Sequence, residues 1–164
     1  MYRKIILVFA GIIFALGIVM GIVSGFDLDS SQLQSLKILG FICAGSALYC
    51  FIVGELSGNT SQMDKLWSIL PIAYTWVVVI RESFALRPLI IAILVTLWGI
   101  RLTMNFARKG AYSIKFWSGE EDYRWKYLRE HTILRNKTLF TLFDLFFISI
   151  YQNVIVCAMT LPIV

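Results

Sequence analysis

Charged residues are scarce in this chain of 164 residues: only 15% are Asp, Glu, Lys or Arg, and 59% are hydrophobic. Soluble domains carry nearer a quarter charged residues. Together with a mean hydropathy of +0.77, this shortage excludes a disordered chain, a coiled coil and a collagen-like fold. The composition predicts that most of the protein has lipid as its solvent.

Histidine and cysteine are also rare. The chain has one histidine, His131, and three cysteines, Cys43, Cys50 and Cys157, all in apolar stretches and without a C-x-x-C pair. A disulfide framework is excluded, and a zinc site has no support. The sequence also lacks the Rossmann, Walker, nucleophile-elbow and zincin motifs. We therefore expect no metal, and we expect the cysteines to be small packing residues in a helical bundle.

Long apolar stretches dominate what is present. A hydrocarbon layer of about 30 Å needs about 20 helical residues at 1.5 Å each. Five stretches meet or approach this length, and they predict spans at residues 5–26, 38–54, 61–80, 88–107 and 138–164. The sequence thus predicts an all-α fold: a polytopic integral membrane helical bundle with about five transmembrane helices, forming a single membrane domain over residues 1–164.

The third span is the weakest of the five. Its apolar part is short and contains Pro71, so it must begin near Ser61 to reach crossing length. Ser61 and Asp64 have the spacing of a capping box, with Asp in place of the usual Glu or Gln. This spacing predicts a helix start at that point.

Basic residues are concentrated in one segment. Eight of the fifteen Lys and Arg residues lie in residues 108–137, among tyrosines and tryptophans. Such a segment is typical of a partly helical stretch at the level of the lipid headgroups. The positive-inside rule places it, with the N-terminus, on the cytoplasmic side. It also explains the net charge of +5, so we expect membrane lipid and no nucleic acid as a partner.

Polar residues at membrane depth are the informative ones, because an ionised side chain there costs at least about 2.5–3.5 kcal/mol on insertion scales. Arg101, Asn105 and Arg108 follow i, i+4, i+7 spacing and give the fourth span a polar face. Either this face meets protein, water or a polar ligand, or Arg101 extends its side chain to the headgroups. Asp144 lies at a comparable depth in the fifth span, so an ion pair with Arg101 is geometrically feasible.

Aromatic and polar residues cluster around Pro71. Trp67 and Tyr74 are seven residues apart on one predicted helix face, with Gln62 and Asp64 before them and Trp76 after them. An aromatic wall beside polar donors at a broken helix suits a flat, mostly apolar ligand. An ordinary interfacial aromatic belt is the alternative.

Three motifs in order make the chain similar to a known family. They are residues 59–76 (NTSQMDKLWSILPIAYTW), residues 94–110 (LVTLWGIRLTMNFARKG) and residues 119–125 (GEEDYRW). The chain resembles the uncharacterised membrane proteins related to steroid 5-alpha-reductases. This resemblance implies an all-helical membrane fold, shared distantly with isoprenylcysteine methyltransferases, and an NADPH-dependent reduction of a carbon–carbon double bond in a lipid-like enone.

The resemblance suggests roles for eight residues. Tyr74, Gln62 and Asp64 are the catalytic candidates, because they are the polar groups nearest Pro71 that can take the place of the family's glutamate and tyrosine. Arg101, Asn105 and Arg108 are the candidates for binding NADPH, since arginine forks match phosphate. Trp67 and Trp76 are the candidates for substrate binding.

Two functions stay open at this level. The first is the N-terminal part of an oxidoreductase, because members of the family continue for another stretch in which we expect the nucleotide-gripping residues. The second is a non-catalytic membrane module or lipid-binding scaffold. In both cases the partners are membrane lipid and a lipid-like small molecule, and the sequence leaves a homo-oligomer open.

Overall fold

The computed structural model describes residues 29–164. The predicted span at residues 5–26 lies outside these described residues. Residues Gln32–Val164 form one compact unit, and the features below belong to it except for the first two residues of the helix that begins at Ser30. The single membrane domain over residues 1–164 stays a prediction.

The described part is built from helices, and it contains no strand. Its α-helices in chain order are α1 (Ser30–Ser57), α2 (Gln62–Leu66), α3 (Leu70–Arg81), α4 (Leu86–Ala107), α5 (Tyr123–His131), α6 (Lys137–Phe143) and α7 (Gln152–Thr160). A 3-10 turn at Ile133–Arg135 precedes α6, a π-helix at Asp144–Tyr151 joins α6 to α7, and a second 3-10 turn at Leu161–Ile163 follows. The all-α fold class is confirmed for this part of the chain.

Three helical stretches are long and apolar enough to cross a membrane: Ser30–Ser57, Leu86–Ala107 and Lys137–Ile163. They overlap the predicted spans at 38–54, 88–107 and 138–164. Large apolar side chains on them are exposed, as in Phe41 at 78% and Leu97 at 62%, which suits contact with lipid chains. The chain is therefore an integral membrane protein, while the count of about five spans and the cytoplasmic orientation stay predictions.

The predicted helix over residues 61–80 is broken. The five residues of α2 end at Leu66, and α3 begins at Leu70 and has only 12 residues. Pro71 lies in the first turn of α3, where its missing N–H is tolerated; further along an unbroken helix it would remove a backbone hydrogen bond. The interruption therefore follows from the position of Pro71.

Helix α2 begins where the sequence predicts it, but the predicted capping box does not form. Ser61 is the N-cap of α2, yet its side chain makes no capping hydrogen bond. Its hydroxyl oxygen accepts instead from the backbone N–H of Asp122 at 2.8 Å. The Ser61 hydroxyl thus makes a tertiary contact instead of a helix cap.

Helices α3 and α4 pack at close range around Gly99. A Cβ atom at Gly99 would lie 2.6 Å from the carbonyl oxygen of Ser68 and 2.6 Å from Cδ1 of Ile72. Only glycine allows this approach. It fixes the segment that joins α2 to α3 against α4, and so positions the polar residues described next.

Candidate functional site

Two distant segments of the chain are joined by a network of hydrogen bonds, which we call the polar clasp (residues 59–65 with residues 116–129). Asn59 Nδ2 donates to the carbonyl oxygen of Gly119 at 3.0 Å. Both the backbone N–H and the hydroxyl of Thr60 donate to Glu121 Oε1, at 2.8 and 2.7 Å. Arg129 pairs with the other oxygen of Glu121. The clasp thus joins the first and third of the motifs found in the sequence.

Lys65 is a buried cation without a carboxylate partner among the residues described. Its side chain is 0% exposed, and Nζ donates to the carbonyl oxygens of Phe116 and Ser118, each at 2.8 Å. Burial lowers the pKa of Lys65, since the charged form loses water. The Lys65 side chain therefore holds the loop that follows α4 by bonding to the backbone of that loop.

Asp64 is the acidic centre of the clasp. Its Oδ2 accepts from Trp125 Nε1 at 2.6 Å, and its Oδ1 accepts from Arg124 at 3.2 Å. Burial raises the pKa of Asp64, and the Trp125 and Arg124 contacts only partly oppose this effect. Arg124 also binds Asp122, at 2.8 Å through Nε. These hydrogen bonds outweigh the effect of burial and lower the pKa of Asp122.

A cleft of about 530 Å³ opens beside Asp64, and we call it the amphipathic cleft. One end is polar and is lined by Asp64, Lys109, Asp122 and Arg124. The rest is largely apolar and is lined by residues that include Leu102, Phe106, Phe147, Tyr151 and Ile155. Such a cleft suits a ligand with a polar end and an apolar body.

Trp67 and Gln152 close one wall of the amphipathic cleft. Trp67 Nε1 donates to Gln152 Oε1 at 2.9 Å, and both residues line the cleft. Asn105 lines it from α4. The cleft therefore draws its walls from all three sequence motifs and from the last helical stretch.

The structure separates the predicted catalytic residues. Asp64 lines the amphipathic cleft, but Gln62 and Tyr74 do not. Both are 0% exposed, and the amide of Gln62 donates to the carbonyl oxygens of Asn59 and Trp117. The Tyr74 hydroxyl has no hydrogen-bond partner among the residues described.

The two predicted substrate-binding tryptophans have different surroundings. Trp67 lines the amphipathic cleft, whereas Trp76 Nε1 donates to Thr96 Oγ1 at 3.0 Å between α3 and α4. Trp67 and Tyr74, which their spacing places on one predicted helix face, make no ring contact with each other among residues 29–164.

The polar face of α4 is present, but its three residues differ in surroundings. All three are exposed, and of the three only Asn105 lines the amphipathic cleft. The Arg101–Asp144 ion pair does not form. Asp144 is only 1% exposed and accepts from the Ser149 hydroxyl at 3.3 Å. Arg101 is exposed, which fits the alternative that its side chain extends toward the lipid headgroups.

Sequence reasoning did not include Lys109 or Gln152 among the candidate site residues, although both line the cleft. The signal that was available is the second motif itself, because Lys109 lies within its residues 94–110. Gln152 has no such signal. Its role depends on the π-helix at Asp144–Tyr151, which changes the face that α7 presents.

The described fold and cleft define a class: an all-helical integral membrane protein with an amphipathic cleft at one end of its helices. Residues 50–164 match the family described as "Protein of unknown function (DUF1295)". Because this match covers more than half of the chain, the chain belongs to that family.

One curated relative is similar to part of the chain and is much longer than the aligned region. The chain is 40% identical over 116 residues to an uncharacterized protein of Schizosaccharomyces pombe, and the aligned region covers 64% of this chain and 32% of that protein. The chain therefore spans about a third of the length of this relative. No solved structure matches the chain.

Proposed function

We propose that this chain forms the substrate-binding part of a membrane-embedded, NADPH-dependent oxidoreductase, related to steroid 5-alpha-reductases, that reduces a double bond of a lipid-like enone. The observation that carries this proposal is the amphipathic cleft, whose walls come from all three motifs and from the last helical stretch. A cleft that served only as packing space would not need to gather these four segments.

The cleft matches the chemistry of such a substrate. An enone lipid has an apolar body, which fits beside Phe106 and Phe147, and one carbonyl oxygen that accepts hydrogen bonds. Reduction requires a donor that stabilises the charge developing on that oxygen. Lys109 and Asn105 line the cleft and carry N–H donors, so they are the donor candidates in our proposal, whereas the predicted Tyr74 and Gln62 are buried outside the cleft.

Asp64 then acts through its neighbours. Its two carboxylate oxygens hold Arg124 and Trp125 in place on the cleft wall. A carboxylate occupied in this way is a positioning residue in our proposal.

NADPH would be held outside the polar end of the cleft. Arg124 already binds Asp64 and Asp122, so it is a poor site for a phosphate. Arg101 and Arg108 are exposed on α4 and have no ion pair with a described residue. These two guanidinium groups fit the phosphates of a nucleotide. When bound, NADPH would supply the hydride for the enone.

A second candidate is a lipid-binding scaffold without catalysis. A different cleft, of about 560 Å³, lies between α1 and the C-terminal helical stretch. Small apolar residues line much of it, including Gly40, Ala44 and Ala47. This lining suits an acyl chain and needs no reaction.

The two candidates differ in what happens to NADPH. The chain and the full-length S. pombe relative would each be purified in detergent and mixed with NADPH and a 4-en-3-one steroid as the probe. Our proposal expects the relative to consume NADPH only when the steroid is present, and expects the steroid to quench tryptophan fluorescence in both proteins.

A variant pair sharpens this test. Gln152→Leu removes the acceptor of Trp67 in the cleft wall, and it should weaken steroid quenching of the chain about three- to tenfold. Thr96→Val, which removes the acceptor of Trp76 outside the cleft, is the matched control. Steroid quenching without NADPH consumption by the relative would favour the scaffold, and equal effects of both variants would contradict the assignment of the cleft.

A further inference from the structure

A second polar cleft lies where two membrane-crossing stretches end on the same side. The last turns of α1 contribute Gly54 and Glu55, and the first turns of α6 contribute Lys137 and Thr141. The cleft measures about 320 Å³, and we call it the α1–α6 cleft. Since the spanning stretches Ser30–Ser57 and Lys137–Ile163 end and begin here, it lies at the boundary between hydrocarbon and water.

The charges in this cleft are mixed. Arg129, Arg135 and Lys137 line it on the basic side, and Glu55 and Asp144 line it on the acidic side. A cleft for a simple anion would not include two carboxyl groups, because each repels the ligand.

Arg129 is already fully engaged. It pairs with Glu121, donates to the Thr60 hydroxyl at 3.2 Å, and stacks over Phe140 with 5.0 Å from its guanidinium carbon to the ring centre. It therefore shapes the cleft and leaves the recognition of a ligand to other groups.

The remaining four charged groups are not paired with one another. Arg135 and Lys137 are exposed and form no ion pair within residues 29–164. Glu55 Oε1 accepts only from the Thr141 hydroxyl, at 3.1 Å, and Asp144 Oδ1 accepts from the Ser149 hydroxyl. Two cations and two acids thus share one cleft without neutralising each other.

We propose that the α1–α6 cleft binds the headgroup of a phospholipid that carries a phosphate and a primary ammonium, as phosphatidylethanolamine does. The phosphate meets Arg135 and Lys137, and the ammonium donates hydrogen bonds to Glu55, while the buried Asp144 adds negative charge to the cleft lining. Leu134 and Phe140 supply an apolar wall for the glycerol end. A zwitterion of this kind satisfies both signs of charge at once.

Native mass spectrometry of the detergent-solubilised chain tests this proposal. The protein is titrated with phosphatidylethanolamine, phosphatidylcholine and phosphatidylglycerol of identical acyl chains. We expect phosphatidylethanolamine to bind at least about fivefold more tightly than the other two, because hydrogen bonds to charged groups are lost with either. Phosphatidylcholine has no ammonium N–H, and phosphatidylglycerol has no ammonium. Equal affinity for all three lipids, or preference for phosphatidylglycerol, would overturn the proposal.

Two variants separate the two halves of the headgroup. Glu55→Gln should bring the affinities for phosphatidylethanolamine and phosphatidylcholine close together, whereas Lys137→Gln should weaken both by a similar factor. Glu130→Gln and Lys126→Gln, two exposed positions on α5, are the matched controls and should change neither affinity. Circular dichroism checks that each variant is folded, and the ranking of lipids by the unaltered chain stands without any variant.

Free phosphoethanolamine distinguishes a lipid from a soluble ligand. It carries the same two charged groups, so it should compete with phosphatidylethanolamine only at much higher concentration, because it lacks the acyl chains that partition into the micelle. Competition at equal concentration would contradict the assignment to a lipid.

Discussion

Trp125 donates its indole N–H to Asp64 Oδ2 over 2.6 Å, and this bond joins two motifs through residues that are 61 apart in the sequence. The Trp125 side chain is only 4% exposed and packs near Phe143, with 6.4 Å between ring centres. Trp125 therefore belongs to the polar clasp and also packs against the helical stretch Lys137–Ile163.

Removing this bond should destabilise the protein. Trp125→Phe leaves Asp64 Oδ2 buried without its donor, so we expect the free energy of unfolding to fall by about 1–3 kcal/mol. Trp117→Phe is the control, because Trp117 is 50% exposed. Thermal unfolding in detergent measures both. Equal midpoints for the two variants would mean that the bond contributes nothing to stability.

Asp64 and Asp122 should respond to pH in opposite directions. The Arg124 hydrogen bonds lower the pKa of Asp122 in the folded state. Asp122 thus contributes stability above its unfolded pKa of about 3.9, and this contribution is lost as pH falls through the folded pKa. Burial raises the pKa of Asp64, so its ionisation reduces stability as pH rises from the unfolded to the folded pKa.

The variants Asp122→Asn and Asp64→Asn make this difference measurable. The destabilisation caused by Asp122→Asn should shrink as the pH is lowered from neutral toward about 3. The destabilisation caused by Asp64→Asn should grow over the same interval, because only the unaltered Asp64 gains from protonation. Urea unfolding at several pH values measures both. Parallel pH curves for the two variants would contradict the assigned shifts.

The sequence predicts the features that depend on local pattern. Length and hydropathy alone place the long helices near 38–54, 88–107 and 138–164, because a crossing helix must be apolar along its whole length. The start of α2 at Gln62 is also predicted. These features need no knowledge of what the helices pack against.

The sequence does not reveal which tertiary contacts each side chain makes. Ser61 and Asp64 have the spacing of a capping box, yet the Ser61 hydroxyl accepts from the backbone of Asp122, and Asp64 accepts from Trp125. Arg101 and Asp144 have matching depth and opposite charge, yet one is exposed and the other is buried. Depth along a helix is readable from spacing, whereas the rotation of one helix against another is not.

Lys65 should control the order of the loop after α4. Lys65→Met removes both donors to the carbonyl oxygens of Phe116 and Ser118, and an unpaired buried carbonyl costs about 1–3 kcal/mol. We expect the loop to open and trypsin to cleave after Lys115 several times faster. Lys126→Met, at an exposed position on α5, should leave that rate unchanged. An unchanged rate in Lys65→Met would show that other contacts hold the loop.

Gly99 should be the glycine least tolerant of substitution among those described in the long helices. A Cβ there meets the backbone oxygen of Ser68 and the side chain of Ile72 at 2.6 Å, so Gly99→Ala must push α3 away from α4 and should cost about 1–3 kcal/mol. Gly45→Ala in α1 meets nothing within 4 Å, and alanine is the better helix former by up to about 1 kcal/mol. We therefore expect opposite signs: a lower unfolding midpoint for Gly99→Ala and an equal or higher one for Gly45→Ala. Loss of stability in both variants would mean that Gly45 also packs against a helix, and loss in neither would mean that α3 and α4 separate at little cost.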